Sequence, residues 1–202
     1  NADLKAEKII IEELKKARPY YSIISEEDGS ETNKDKNNTW IIDPIDGTTN
    51  FLHGVPHFAI SIALKSGNEI VSGIIYDPIK DEMFYAEKDN GAFFNNQRIR
   101  VSKKRVLDSC LFATGGNYEV KLDLPLRKSG SAALDLAYVA AGRYDGYFQN
   151  DLNLWDIAAG IIIIKEAGGM INEIDLSKNN NIQIRASSMA INEKMLDKLK
   201  NF

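Results

Sequence analysis

The chain has 202 residues, 44% hydrophobic and 27% charged, enough apolar content for a packed core in one large domain or two small ones. Its 25 Lys+Arg and 29 Asp+Glu leave a net charge of −4, which argues against broad electrostatic binding to nucleic acid or anionic lipid. The longest apolar run, Ile157 to Ile164, is far short of a membrane span, and a single cysteine, Cys110, can form no internal disulfide, so a cytoplasmic setting is expected.

In chain order, residues 2–17 read as a helix, with Leu4, Ile9, Ile10, Ile11 and Leu14 as its apolar positions. It begins almost at Asn1, so further sequence is expected before it. A short strand over 20–25 and a polar loop over 26–38 follow, and the strand that resumes at Thr39 is expected to stop at Asp43-Pro44, because proline cannot continue a central ladder. A meander of antiparallel strands is expected over 58–65, 70–76 and 82–87, with a hairpin at Asn95-Asn96 leading to a strand over 99–101 and another over 111–114. The second half alternates helix (132–141), strand (146–149), helix (156–167), strands (170–174, 183–186) and a terminal helix (193–200). We therefore expect an α+β half over 1–126 and an α/β half over 127–202.

Chemistry concentrates in Asp43-Pro44-Ile45-Asp46-Gly47-Thr48-Thr49-Asn50-Phe51. Two carboxylates three residues apart at the mouth of a strand can converge on one hard cation, and Mg²⁺ takes such carboxylates together with substrate phosphate oxygens. Gly47, Thr48 and Thr49 then offer backbone N–H groups to an anion. The plainer alternative is an Asp-Gly turn with an Asx cap. Asp156 likewise reads either as a ligand or as the N-cap of the apolar helix it opens. His53 and His57 read as local packing or capping residues, Cys110 as a core residue, and the basic run Arg98, Arg100, Lys103, Lys104 and Arg105 as a solvated hairpin face.

Residues 40–51 resemble the signature of the inositol monophosphatase family, magnesium-dependent and lithium-sensitive phosphomonoesterases. Leu154-Trp155-Asp156-Ile157-Ala158-Ala159-Gly160, continuing to Glu166-Ala167-Gly168-Gly169, resembles the family's C-terminal Trp-Asp motif, and Ser25-Glu26-Glu27-Asp28 its upstream acidic element. The resemblance implies a layered αβαβα sandwich of the sugar-phosphatase type and a homodimer. It implies two or three Mg²⁺ per subunit, one held by Glu26, Asp43 and the Ile45 carbonyl, and a second by Asp43, Asp46 and Asp156. Gly47, Thr48 and Thr49 would hold the phosphate, with Glu26 and Thr48 activating water and Asp3 behind the acidic group. Gly130, Ser131 and Ala132, with Asp46 and Asp156, would contact substrate, as would Gln149, which stands where inositol-selective members carry glutamate. The family also has a longer helical connection where this chain runs from Asn117 to Leu126.

The resemblance implies hydrolysis of inositol 1-phosphate or a related polyol or sugar phosphate by two-metal-assisted in-line attack of water. The alternatives are a fructose-1,6-bisphosphatase or nucleotide 3'-phosphatase of the same superfamily, or a regulatory protein of RNA or transcription complexes. Nucleic acid and membrane are not expected partners.

Overall fold

The fold is described from a computed structural model, for residues 2–115 and 124–200. The Asn117–Leu126 connection therefore falls largely outside the described residues.

Helix α1 (Ala2–Ala17) precedes β1 (Tyr21–Ser25), β2 (Gly29–Glu31) and β3 (Asp35–Asp46), and a short α2 (Thr48–Leu52) leads to β4 (Ala59–Ser66) and β5 (Glu69–Asp77). Strands β6 (Glu82–Glu87), β7 (Gly91–Phe94) and β8 (Gln97–Arg98) complete an eight-stranded sheet in the order β2-β1-β3-β4-β5-β6-β7-β8. Only β1 and β3 pair parallel in it. The second sheet has the order β10-β9-β11-β13-β12, from β9 (Phe112–Ala113), β10 (Leu126–Arg127), β11 (Gly146–Leu152), β12 (Gly169–Ile171) and β13 (Ile182–Ser188). Helices α3 (Ala132–Ala140) and α4 (Leu154–Glu166) lie between the sheets, α1 lies against β3, and α5 (Asn192–Lys198) covers β13. This is the expected αβαβα sandwich. Among the described residues no helix is long and apolar enough to cross a membrane.

The central layer is set by side-chain size. Ala63 pairs with Gly73, and Gly73 with Ala86, so a row of minimal side chains crosses β4, β5 and β6 on the face toward α4. Ala159 answers it on a helix buried along almost its whole length, while Gly160 of the same helix faces Leu136 of α3. That all-round apolar sequence is what a helix between two sheets requires. A smaller cluster of Cys110, Phe112, Phe148, Ile191, Met195 and Leu199 fills the space under α5, which puts Cys110 in a core as expected.

Several boundaries differ from expectation. Strand β3 starts at Asp35 and runs through Pro44 to Asp46, and β2 occupies part of the anticipated loop. Proline is accommodated because β1 pairs only as far as Ile42, and because Asp43 and Asp46 face Ser61 and Ala59 across a register shift. Pro44 thus sits in a bulge where no ladder N–H is required of it. Residues 99–101 are not a strand: the Ile99 and Val101 amides donate to the Ala92 and Ala167 carbonyls (2.9 and 3.2 Å), tying the chain across the sheet edge. On α1, Leu4 and Ile9 are exposed, and the fully buried residue is Glu7.

A Cβ on Gly73 would stand 2.8 Å from the Ala159 Cα and 2.9 Å from its carbonyl oxygen, both backbone atoms that cannot rotate away. Gly73→Ala is expected to destabilise the fold by about 1–3 kcal/mol, read as a lower urea midpoint with unchanged slope.

Candidate active site

The bulge at the end of β3 aims two carboxylates inward. Asp43, 2% exposed, accepts from the Ile45 amide at 3.0 Å. Asp46 meets the first turn of α3, accepting from the Ala132 and Ala133 amides (3.3 and 2.9 Å) and from the Ser131 hydroxyl. Ser131 itself caps α3 by accepting from the Leu134 amide at 3.2 Å. Carboxylate and helix start therefore fix each other. Asp156 comes from α4, where Asn153 is the N-cap and Asp156 the third helical residue, its Oδ2 accepting from the Asn153 amide at 2.8 Å. The N-cap alternative for Asp156 is thus corrected, because the helix begins two residues earlier than the apolar run suggests. One carboxylate oxygen from each of Asp43, Asp46 and Asp156 lies within 4.8 Å of the others.

Glu26 enters from the turn after β1. Its amide donates to the Ile42 carbonyl at 3.3 Å, and the next two amides, of Glu27 and Asp28, donate to the buried Glu7 carboxylate at 3.1 and 2.9 Å. Glu7 is thus the carboxylate that holds this turn, whereas Asp3 is the acidic residue anticipated behind the cluster. Glu7 lies one helical turn beyond Asp3, a spacing that would have marked both as sharing a face.

Gly47 follows Asp46 with φ +97°, and a Cβ there would lie 3.2 Å from the Gly130 carbonyl oxygen and 3.3 Å from that of His57. Only glycine lets these three backbone segments meet. The Asn50 Nδ2 completes the junction, donating to the His57 carbonyl (2.7 Å) and the Ser129 carbonyl (2.9 Å). The Thr48 hydroxyl donates to the Ile45 carbonyl at 3.0 Å. In α2 the Phe51 amide bonds back to Gly47, leaving the Thr48 and Thr49 amides ahead of the first intrahelical bond.

These groups enclose a cavity of about 340 Å³. Its wall contains Glu26, Asp43, Ile45, Asp46 and Asp156, the loop residues Gly47, Thr48 and Thr49, and, from the far side, Gly130, Ser131, Ala132 and Gln149. All twelve residues to which the resemblance gives a metal, phosphate, catalytic or substrate contact thus line one cavity, and Asp3 is not among its lining residues. Asp135 and Gly115 line it too and were not anticipated. Asp135 looked like an ordinary first-turn acid of α3, yet it is buried and accepts from the Ser129 hydroxyl at 2.8 Å. Neither histidine is on the wall: His57 packs edge-on to Tyr138, with ring centroids 6.1 Å apart, and His53 ends α2.

The profile of the inositol monophosphatase family matches residues 1–201. The chain belongs to that family. It is 43% identical to an inositol-1-monophosphatase of Caulobacter vibrioides, over 99% of this chain and 86% of that protein. It is 42% identical to the Nus factor SuhB of Haemophilus influenzae, over 99% of this chain and 81% of that protein. The crystal structure of the extragenic suppressor protein suhB from Bartonella henselae superposes with a TM-score of 0.91 at 45% identity, covering 98% of this chain and 83% of that one.

The electrostatics of this inositol monophosphatase fold are dominated by burial of like charges. Burial, then repulsion from Asp46, Glu26 and Asp156, holds the Asp43 carboxyl well above the ordinary aspartate range. Burial pushes Asp46 up to about 6 against the opposing hydrogen bonds from Ser131 and α3, and pushes Asp156 up to about 7. Glu26 is raised by burial as well. Four acidic side chains that repel one another, Asp43 and Asp46 buried and Glu26 and Asp156 half-buried, make a donor set that could hold a hard divalent cation, whose charge would remove the penalty.

A carboxyl with a folded pKa above its unfolded value of about 3.9 retains its proton longer in the folded state. Its contribution to stability is present below pH 4 and is lost as pH rises through about 6 for Asp46 and about 7 for Asp156. In EDTA, Tm is therefore expected to fall between pH 5 and pH 8, and Mg²⁺ to raise Tm more at pH 8 than at pH 5, by about 5 °C or more. Differential scanning calorimetry checks this, and a Tm that climbs with pH in EDTA would contradict it.

Proposed function

We propose that the protein is a magnesium-dependent phosphomonoesterase of inositol 1-phosphate or a related polyol or sugar phosphate, inhibited by lithium. The observation that carries this reading is the convergence of Asp43, Asp46 and Asp156 at one end of a cavity whose wall includes the Gly47-Thr48-Thr49 loop. The all-oxygen donor set fits Mg²⁺, and two or three ions are proposed. Glu26, Asp43 and the Ile45 carbonyl would hold one, and Asp43, Asp46 and Asp156 a second. Bound there, the ions supply positive charge against the phosphoryl oxygens and increase the acidity of water.

The remaining work falls to the chain. The Thr48 hydroxyl, whose proton is committed to the Ile45 carbonyl, can accept from the attacking water and orient it, and the Glu26 carboxylate can take its proton. The amides of Gly47, Thr48 and Thr49 bind the phosphate oxygens. In this reading residues 1–126 bring most of the anion and cation sites, and residues 127–202 bring Asp156 and the contacts to the organic part of the substrate, from Gly130, Ser131, Ala132 and Gln149. A cytoplasmic homodimer is the setting we infer.

A second reading, a role in transcription complexes, is supported by the name of the Haemophilus relative and by the exposed Lys103 and Arg105. It predicts salt-sensitive RNA association in a titration at physiological ionic strength, independent of Mg²⁺ and of Asp43.

A panel of inositol 1-phosphate, fructose 1,6-bisphosphate and a 3'-phosphonucleotide, with Mg²⁺ and with EDTA, separates the substrate alternatives. Phosphate release is expected from the first, abolished by EDTA. Asp43→Asn is expected to lower kcat/KM by about a thousandfold while circular dichroism stays unchanged, since the amide removes a charge shared between both proposed ion sites. Activity within tenfold of wild type would remove the two-ion assignment.

A further inference from the structure

One acid on the cavity wall has no place in the proposed ion sites. Asp135 is the fourth residue of α3, so its side chain leans back one turn toward Ser131 and Ala132, which line the same cavity. It is 2% exposed, and its Oδ1 accepts from the Ser129 hydroxyl at 2.8 Å. Ser129 is held in turn: its Oγ accepts from the Ser131 amide at 3.2 Å, and its carbonyl accepts from the Asn50 Nδ2 at 2.9 Å. The rotamer of Asp135 is therefore fixed through the same junction that joins Gly47 to Gly130. Among the described residues its Oδ2 meets no hydrogen-bond donor.

A carboxyl buried to this degree beside a single donor is costly, and a serine or asparagine would brace the turn over residues 129–131 at less cost. Burial, against the hydrogen bond from Ser129 and with repulsion from Asp46, holds the Asp135 carboxyl well above the ordinary aspartate range. An ionised Oδ2 accepts from an alcohol and a protonated one donates to it, so a hydroxyl answers either form. We propose that Asp135 is a further substrate-contacting residue, whose Oδ2 hydrogen-bonds one hydroxyl on the organic part of the substrate. The proposal rests on the phosphatase reading and specifies it: the preferred phosphate ester carries an alcohol at one fixed place, which a plain alkyl phosphate lacks. Ser129 is a positioning residue that acts through Asp135.

Inositol 1-phosphate and its monodeoxy analogues test this, each assayed for kcat/KM with Mg²⁺ in wild type, Asp135→Ala and Ser129→Ala. Ratios within one variant cancel any change in overall activity. In wild type, removing the hydroxyl that meets Asp135 is expected to lower kcat/KM by about tenfold, mainly through KM. In Asp135→Ala that one penalty is expected to shrink to about twofold or less while those at other positions stay, because a residue and the hydroxyl it binds do not act additively. Ser129→Ala is expected to shrink the same penalty by about threefold. Where circular dichroism shows that Asp135→Ala does not fold, Asp135→Leu, which fills the volume without a polar atom, gives the same reading. A merely structural role would slow all the compounds alike. Penalties that all persist within about twofold when Asp135 is replaced therefore overturn the proposal while leaving a working phosphatase. Failure of wild type to release phosphate from inositol 1-phosphate and every analogue overturns the phosphatase reading itself, and the proposal with it.

Discussion

Mutual repulsion among buried carboxylates is the constraint around which this molecule is arranged. Asp43 and Asp46, both buried, and the half-buried Asp156 bring oxygens within 4.8 Å of one another. Such a grouping survives only if each member is held by its own fixed donors, and each is: the Ile45 amide holds Asp43, the start of α3 holds Asp46, and the Asn153 amide holds Asp156. The supporting donors are backbone groups at bulges and helix starts. Their positions are set by the sheets and by the packing of α3 and α4, so the small-residue row that seats α4 on β4, β5 and β6 also positions one of the carboxylates.

The two halves of the cavity are joined with little side-chain mass. Gly47 and Gly130 bring backbone to backbone, and Asn50 spans from one loop to the other. Small residues and one amide give a narrow seam beside the Gly47-Thr48-Thr49 loop. Bulkier residues would have filled the same space with side chains and left the amides out of reach. The wall beyond that seam carries Gln149 and Asp135.

The parts of the site that were legible in the sequence are those where chemistry needs particular residue types close together. Asp43, Asp46 and the Gly47-Thr48-Thr49 loop fall in one window, and Asp156 and Glu26 each sit in a motif with its own neighbours. Glu7 shares a helix face with Asp3, but a glutamate on an amphipathic helix ordinarily faces solvent, and only its placement under the β1–β2 turn gives it partners. Asp135 was hidden for a similar reason, since an acid in a helix's first turn already has a sufficient local explanation. The strand boundary at Pro44 was misplaced because a bulge depends on where the neighbouring strand ends, a fact of pairing between distant segments. For the same reason residues 99–101 read as a strand, although their hydrogen bonds go to Ala92 and Ala167 rather than to a continuous ladder.

The contact between Ser131 and Asp46 joins positions 85 residues apart, and Asp156 arrives from still further along the chain. A loop of that length closes late, after the local hairpins of β4 to β7 have had every opportunity to form. Until it closes, the acidic residues are scattered along a flexible polymer with no common centre. The unfolded chain is therefore a poor chelator, and a cation that binds the assembled cluster acts almost wholly on the rate of leaving the native state rather than on the rate of reaching it.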